Sequence, residues 1–143
     1  MISEKIKRTK KTSSSKENRK KSINGSNLEK EFKFKTGYDK AKKSQKPTFI
    51  NQYGLTQIID FDFIIEQNGI KYYIDLTASY RSDRAKQKAY NGYLLKTKTN
   101  IVHKFIIGVK TFIERGEIIT ATPLEGIDEI CLVSELIERF KKA

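Results

Sequence analysis

Three carboxylates placed around one turn signal are the residues most suited to chemistry. The three are Asp60, Asp62 and Asp75. The dipeptide Asn68-Gly69 stands between the run that holds the first two and the run that holds the third. An Asn-Gly pair between runs rich in β-forming residues is the strongest short hairpin signal, because both central residues of the turn need positive φ. The sequence therefore predicts a β-hairpin with strands over Leu55–Glu66 and Ile70–Ser79.

The register of this hairpin decides whether the carboxylates meet. If the loop has only the two turn residues, Asp62 faces Asp75, and Asp60 faces Thr77 on the same side. Side chains directly opposite each other have Cβ atoms about 4.5–5.5 Å apart, and like charges there destabilise a hairpin. A bound cation, a shifted pKa or unusual solvent exposure must offset that repulsion.

A hard divalent cation is the interpretation that the acid pair favours. Mg²⁺ prefers oxygen ligands and usually takes one or two protein carboxylates together with substrate phosphate. We expect Asp62 and Asp75 to bind Mg²⁺, with Asp60 as an outer ligand, and Glu29 or Glu31 of a preceding helix could add another. A solvated polar face on an antiparallel hairpin is the competing interpretation, and spacing alone does not decide between the two.

The other side of the hairpin is predicted to be apolar and to face the core. Its expected pairs are Phe61–Leu76, Phe63–Ile74 and Ile65–Tyr72. Further strands are predicted over Ile101–Thr111, Glu117–Ala121 and Ile127–Val133, and helices over Leu28–Lys43, Ser82–Lys98 and Glu135–Lys142. This order predicts an α/β or α+β domain with a central mixed sheet flanked by helices.

Three residues at the helix ends predict where the first and last helices begin or end. Ser26 followed by Glu29 fits a capping box for the first helix. Gly37 would allow that helix to end early, because glycine is a poor residue for a helix interior. Ser134 is expected to cap the last helix.

The positive charge of the chain is concentrated at its start. The 143 residues carry a formal net charge of +12. Residues 1–27 hold nine Lys or Arg side chains against two Glu side chains, which accounts for +7 of that total. This stretch is too polar to offset its ordering entropy, so we expect a disordered basic arm followed by one domain over residues 28–143. The arm is either a solvated tail or a phosphate-seeking segment that includes Lys10, Lys11, Lys20 and Lys21.

Composition excludes several classes of protein and site. No apolar run approaches the roughly 20 residues of a membrane span, and no cleavable signal peptide is visible, so we expect a soluble cytoplasmic protein with no membrane partner. A single Cys excludes an internal disulfide and a zinc site built on a Cys cluster. Cys131 in its apolar run is expected to be an inert thiol, and His103 to be a sheet residue rather than a catalytic base.

The hairpin and the helix after it resemble the core of the PD-(D/E)xK nucleases, and in particular type II restriction endonucleases. The segments that carry the resemblance are Asp60-Phe61-Asp62, Asn68-Gly69, Tyr72-Tyr73-Ile74-Asp75-Leu76-Thr77, Ser79-Tyr80-Arg81-Ser82-Asp83-Arg84 and Arg84-Ala85-Lys86-Gln87-Lys88. The resemblance covers about residues 28–134 and implies a restriction-endonuclease-like fold. It also implies Mg²⁺- or Mn²⁺-dependent hydrolysis of phosphodiester bonds in double-stranded DNA, often by a homodimer.

One position departs from the family pattern. The family has Lys two residues after the second acid, where this chain has Thr77, and Thr cannot supply a cation. Arg81, Arg84 and Lys88 are the basic residues near enough to take its place, whereas Lys71 lies about 13 Å away along the strand. The resemblance implies metal binding by Asp62 and Asp75.

The expected function is that of a Mg²⁺-dependent deoxyribonuclease with a variant catalytic motif. Its expected catalytic residues are Asp62, Asp75, Thr77 and Arg84. Its expected nucleic-acid-binding residues, besides the four lysines of the arm, are Arg81, Arg84, Lys86 and Lys88. The first alternative is an inactive DNA-binding module of the same fold, which Thr77 favours. A general basic RNA-binding protein is a further alternative, but it leaves the facing acids unexplained.

Overall fold

The computed structural model describes residues 27–80, 82–114, 117–118 and 123–142. The helices are α1 (residues 27–36), α2 (Ser82–Lys98) and α3 (Val133–Phe140), and a short 3-10 helix covers Lys43–Gln45. The strands are β1 (Thr48–Ile50), β2 (Thr56–Ile58), β3 (Phe63–Gln67), β4 (Ile70–Thr77), β5 (His103–Val109), β6 (Ile113–Glu114), β7 (Glu117–Ile118) and β8 (Glu129–Leu132). The predicted basic arm lies outside these ranges except for its last residue.

Four strands form the central sheet, in the order β3-β4-β5-β8. Strands β3 and β4 are antiparallel, whereas β4 pairs with β5 and β5 with β8 in parallel. Helix α2 makes the crossover between β4 and β5, as parallel neighbours require. The prediction of a mixed sheet with helices in an α+β domain is confirmed.

Each face of the sheet is covered by its own apolar cluster. On one face, α1 and α3 pack on the hairpin through residues that include Phe32, Phe63 and Phe140. On the other face, α2 packs through Leu94 and Leu95 against a cluster that includes Phe105. The sheet therefore lies between two helical layers, and α2 alone, of the three helices, contributes buried residues to the second face.

The predicted register of the hairpin is confirmed. Phe63 pairs with Ile74 and Gln67 with Ile70, so the turn consists of the two residues expected. Asn68 and Gly69 both have positive φ, at 54° and 77°. This conformation suits the two-residue turn that matches the twist of the flanking strands.

The predicted length of the first hairpin strand is wrong. Strand β3 begins only at Phe63, and β2 pairs with β1 in a separate two-stranded sheet. The alternation of inward and outward side chains does not continue across this break. Phe61 is consequently buried in the cluster on the α2 face, and its expected place beside Phe63 and Ile65 is also wrong.

The helix ends correct three smaller predictions. Helix α1 ends at residue 36 rather than at Lys43, which confirms the alternative of an early end at Gly37, whose φ is 82°. Helix α3 begins at Val133, two residues before the predicted start. Leu132 is its N-cap and provides no side-chain hydrogen bond, so Ser134 lies inside the helix and is not the cap.

The remaining boundaries differ by a few residues or fall beyond the description. Helix α2 has the predicted bounds, and the strands predicted over Ile101–Thr111 and Ile127–Val133 are shorter in the structure, as β5 and β8. Ser26 and the stretch from residue 119 to 121 lie outside the described residues. No helix among the described residues is long and apolar enough to cross a membrane.

Candidate active site

Asp62 and Asp75 each accept a backbone hydrogen bond from the opposite strand where the hairpin ladder ends. The Asp62 backbone N–H donates to Asp75 Oδ1 at 2.9 Å, and the Leu76 backbone N–H donates to Asp62 Oδ2 at 2.9 Å. Because β3 begins one residue later, at Phe63, backbone N–H groups at this end bond to carboxylates. Each acid is thereby fixed by backbone, and the two carboxylates are held beside each other.

Burial makes this carboxylate pair costly to ionise. Only 4% of Asp75 is exposed. Burial and the neighbouring Asp75 charge raise the pKa of Asp62 to about 7, although the Leu76 N–H opposes that rise. Burial also raises the pKa of Asp75, while the ammonium group of Lys88 acts in the opposite direction. A bound cation would offset the desolvation and the repulsion together.

Lys88 of helix α2 supplies a positive charge beside the acid pair. Its Nζ lies 3.2 Å from Asp75 Oδ2 in a partly buried ion pair. Among the three basic residues considered as a substitute for the motif Lys, which were Arg81, Arg84 and Lys88, the structure places Lys88 against Asp75. Lys88 was also predicted to bind nucleic acid, and that role stays a prediction.

The acid pair opens into a cavity of about 300 Å³ between the hairpin end and α2. The helix contributes four polar side chains, Arg84, Gln87, Lys88 and Asn91. Residues three, four and seven positions apart share one face of a helix, which explains why these four converge. Asn91 was not predicted as a site residue, although its spacing from Arg84, Gln87 and Lys88 was a usable signal. Asn91 Nδ2 donates to the Asp60 carbonyl oxygen at 3.3 Å.

Thr77 lines the cavity, and its hydroxyl is used in a hydrogen bond to the backbone. It is buried, and its hydroxyl donates to the Ser79 carbonyl oxygen at 2.9 Å. This hydrogen bond fixes the chain just after β4. The structure therefore brings Thr77 to the site as predicted, with its hydroxyl proton directed to the backbone.

Asp60 lines the same cavity without joining the acid pair. Its side chain is 75% exposed and forms an ion pair with Lys46. Glu29 pairs with Lys40 and Glu31 with Lys35. Within the described ranges, no three His, Cys, Asp or Glu side chains form a group that could hold a metal ion. The structure thus brings together two carboxylates of the expected ligand set.

Among the other predicted binding residues that the structure describes, one lines the cavity and one does not. Arg84 is exposed and lines the cavity, whereas Lys86 is exposed and is not among its lining residues. Arg81 and the four arm residues Lys10, Lys11, Lys20 and Lys21 lie outside the described residues.

The single His and the single Cys lie away from the cavity lining. His103 Nδ1 is 2.8 Å from the Ile101 carbonyl oxygen, and its ring meets that of Tyr73 edge-on in the sheet. Burial raises the pKa of the Cys131 thiol to about 12, which agrees with the expected inert thiol.

Comparison of the chain with protein-family models, with curated proteins and with solved structures finds no match. The functional assignment therefore depends on the residues of the site and on their geometry.

Proposed function

We propose that the protein is a metal-dependent endonuclease that hydrolyses phosphodiester bonds of double-stranded DNA. The observation that carries this proposal is the pair of Asp62 and Asp75, held side by side by backbone hydrogen bonds, with Lys88 beside it in an open cavity. Acid, acid and cation are the three charges of the PD-(D/E)xK site. In this chain the cation comes from α2 instead of β4.

The donor chemistry of the pair fits Mg²⁺ or Mn²⁺. Both are hard cations that take carboxylate oxygens, and Mg²⁺ is commonly held by only one or two of them. Asp62 and Asp75 would hold the ion. An ion there would supply a bound water of lowered pKa and would neutralise charge on the phosphate.

The polar side chains of α2 fit the handling of a phosphate group. The charge of Lys88 opposes the rise in the pKa of Asp75 that burial causes, and the ion pair limits where that carboxylate can point. Arg84 presents a guanidinium group suited to phosphate oxygens. Gln87 and Asn91 add amide groups that can hydrogen-bond to the sugar-phosphate backbone.

The charge of α2 supports an anionic substrate. The helix carries five basic residues, Arg84, Lys86, Lys88, Lys96 and Lys98, against one acidic residue, Asp83. Since its cavity face and much of its exposed surface are basic, a DNA backbone approaching the acids would meet compensating charge. Cleavage of both strands needs two sites, for which a homodimer is the assembly that we infer.

A DNA-binding module that retains this fold without cleavage is the second candidate. Two features favour it: the Thr77 hydroxyl is directed to Ser79 O, and only two acids of the described chain converge. The cavity that Asp62 and Asp75 line favours the enzyme, because it can admit a phosphate group beside the acids.

Plasmid cleavage separates these two functions. The full chain is incubated with supercoiled plasmid in Mg²⁺, in Mn²⁺ and in EDTA, beside Asp75→Asn and the matched control Glu138→Gln. Glu138 is an exposed acid of α3 that pairs only with Lys141 among the described residues. We expect metal-dependent nicking by the wild type and the control, and none by Asp75→Asn. DNA binding without nicking in any metal would favour the module.

A further inference from the structure

A second groove adjoins the candidate active site along helix α2. It has a volume of about 290 Å³ and lies between α2 and the β1–β2 hairpin. Its lining combines aromatic rings, amides and one cation, and comprises Phe49, Asn51, Gln52, Tyr53, Gln57, Tyr90, Leu94 and Lys98. None of these residues lines the acid-containing cavity.

One side-chain stripe of α2 connects the two sites. Gln87 and Asn91 line the cavity, and Leu94 and Lys98 line the groove. These positions are spaced by four, three and four residues, so they follow one another along the same helix face. From Lys88 to Leu94 the helix rises about 9 Å, which is about three nucleotide steps at the duplex rise.

Two tyrosines of the groove are exposed on ordered elements. Tyr53 is 77% exposed and Tyr90 57% exposed. The turn that holds Tyr53 is closed by Asn51, whose Oδ1 accepts the backbone N–H groups of Tyr53 and Leu55 at 3.0 and 3.1 Å. The hydrogen-bonded turn fixes the backbone that carries the Tyr53 ring, and a tyrosine side chain has few rotatable bonds to immobilise on contact.

The lining identifies the class of partner. Tyrosine rings provide stacking surfaces for unpaired bases, and this mode of contact is tolerant of sequence. The amides of Asn51, Gln52 and Gln57 can bond to base edges or sugars, and Lys98 can contact a phosphate. Bases inside a duplex are stacked on one another, so they cannot stack on these rings.

We infer that this groove, defined by Tyr53, Tyr90 and Lys98, binds a single-stranded DNA segment next to the phosphate that enters the cavity. The preferred substrate is therefore a duplex with an unpaired stretch, such as an overhang or a gap, rather than a fully paired duplex. This inference rests on the proposed function, because it assigns the substrate class of the same site.

Binding measurements in EDTA test the groove independently of cleavage. The full chain is titrated against a blunt duplex and against an overhang duplex with the same number of phosphates. The wild type is expected to bind the overhang duplex at least about fivefold more tightly, and Tyr53→Ala and Tyr90→Ala should each remove most of that preference. Affinity for the blunt duplex should change less than about twofold, and Tyr53→Phe should retain the preference.

Tyr93 provides a matched control, because it is an exposed tyrosine of the same helix that does not line the groove. Tyr93→Ala should leave both affinities as in the wild type. Equal affinity of the wild type for the two DNAs would overturn the inference. An equal loss from Tyr53→Ala and Tyr93→Ala would also overturn it.

A tryptophan reporter separates base stacking from association between protein copies. The chain has no Trp, so Tyr53→Trp introduces a single fluorophore into the groove. The overhang duplex should quench its emission. Without DNA, the emission per protein molecule should stay constant when the protein concentration is raised. Concentration-dependent quenching without DNA would assign the groove to a protein interface instead. An overhang preference without metal-dependent cleavage of either the plasmid or the overhang duplex would contradict only the nuclease proposal. Cleavage without that preference would contradict only the groove.

Discussion

At the residue scale, the site depends on where one antiparallel ladder stops. Two backbone N–H groups, of Asp62 and Leu76, bond to carboxylates at this end. The sequence was sufficient to predict that Asp62 and Asp75 meet, because the Asn-Gly turn sets the register. It was not sufficient to predict which cation reaches Asp75, since that depends on how α2 packs across the sheet.

Replacement of Lys88 tests whether its charge acts in catalysis or in general DNA attraction. In Lys88→Met the ammonium group leaves Asp75, so we expect the nicking rate to fall about 100-fold, a loss typical of removing one preorganised charged or hydrogen-bonding group. Affinity for DNA in EDTA should change less than about threefold. Plasmid nicking and fluorescence anisotropy measure the two quantities.

Lys86→Met is the matched control for that variant. It removes the same charge from the same helix, at an exposed residue that is not in the cavity lining. Its nicking rate should stay within about threefold of the wild type. Similar losses in the two variants would show that Lys88 contributes only to general attraction.

The raised pKa of Asp62 predicts an unusual pH dependence of stability. Its folded-state pKa of about 7 exceeds the ordinary value of 3.8, so between these pH values the folded protein holds a proton that the unfolded chain has lost. The free energy of unfolding should therefore fall as pH rises from about 4 to 7. Without metal, the free energy of unfolding should fall between pH 5 and pH 8 in the wild type. In Asp62→Asn this fall should be smaller by about 1–3 kcal/mol.

Urea unfolding at the two pH values, with Mn²⁺ added or withheld, measures this effect. Mn²⁺ should stabilise the wild type more at pH 8 than at pH 5, because metal binding requires ionised carboxylates. The control Glu138→Gln should follow the wild type. Identical pH profiles for the wild type and Asp62→Asn would refute the raised pKa.

At the element scale, the site is the space between a hairpin end and one helix. The Asn68-Gly69 turn and the helix over Ser82–Lys98 could both be predicted from the sequence. The hairpin forms with the expected register, and the helix has the expected bounds. The break between β2 and β3 could not be predicted. The residues across it read as one continuous β-rich run, and only their tertiary pairing with β1 divides it.

Close packing at Gly92 sets the distance between α2 and its surroundings. A Cβ at Gly92 would collide with the Gly126 carbonyl oxygen and lie 2.8 Å from Phe105 Cδ2. Gly92→Ala should therefore destabilise the fold by about 1–3 kcal/mol through overpacking. Because α2 carries Lys88, the nicking rate should fall under conditions where the variant is folded.

Thermal unfolding and nicking of the same preparation measure both effects. Thr97→Ala, at an exposed position on the same helix, is the control and should retain activity. A Gly92→Ala protein with wild-type stability and activity would show that α2 can move without loss of the site.

At the scale of the whole molecule, a small acidic centre lies within a basic chain. The net charge of +12 predicts an anionic partner, and the buried pair of Asp62 and Asp75 is the local exception. General features such as a mixed sheet and flanking helices followed from the order of predicted elements. The two-layer covering of the sheet, with α2 alone among the helices burying side chains on the site face, could not be read from that order.

Removal of residues 1–26 tests the role of the basic arm. These residues carry nine basic side chains. If the arm contacts phosphates, the slope of the logarithm of the binding constant against the logarithm of salt concentration should fall by about 0.9 for each lost contact. Anisotropy titrations from about 50 to 200 mM salt measure the slope. An unchanged slope would identify the arm as a tail without a phosphate role.

Asp62 and Asp75 are proposed to bind jointly the metal that supports cleavage. The most direct test is the plasmid-nicking rate as a function of Mn²⁺ concentration, for the wild type and for Asp62→Asn. The wild-type rate should saturate with Mn²⁺, and the variant should need at least about tenfold more metal to reach a much lower maximum. Nicking that is independent of metal, or curves that coincide for the two proteins, would contradict the account.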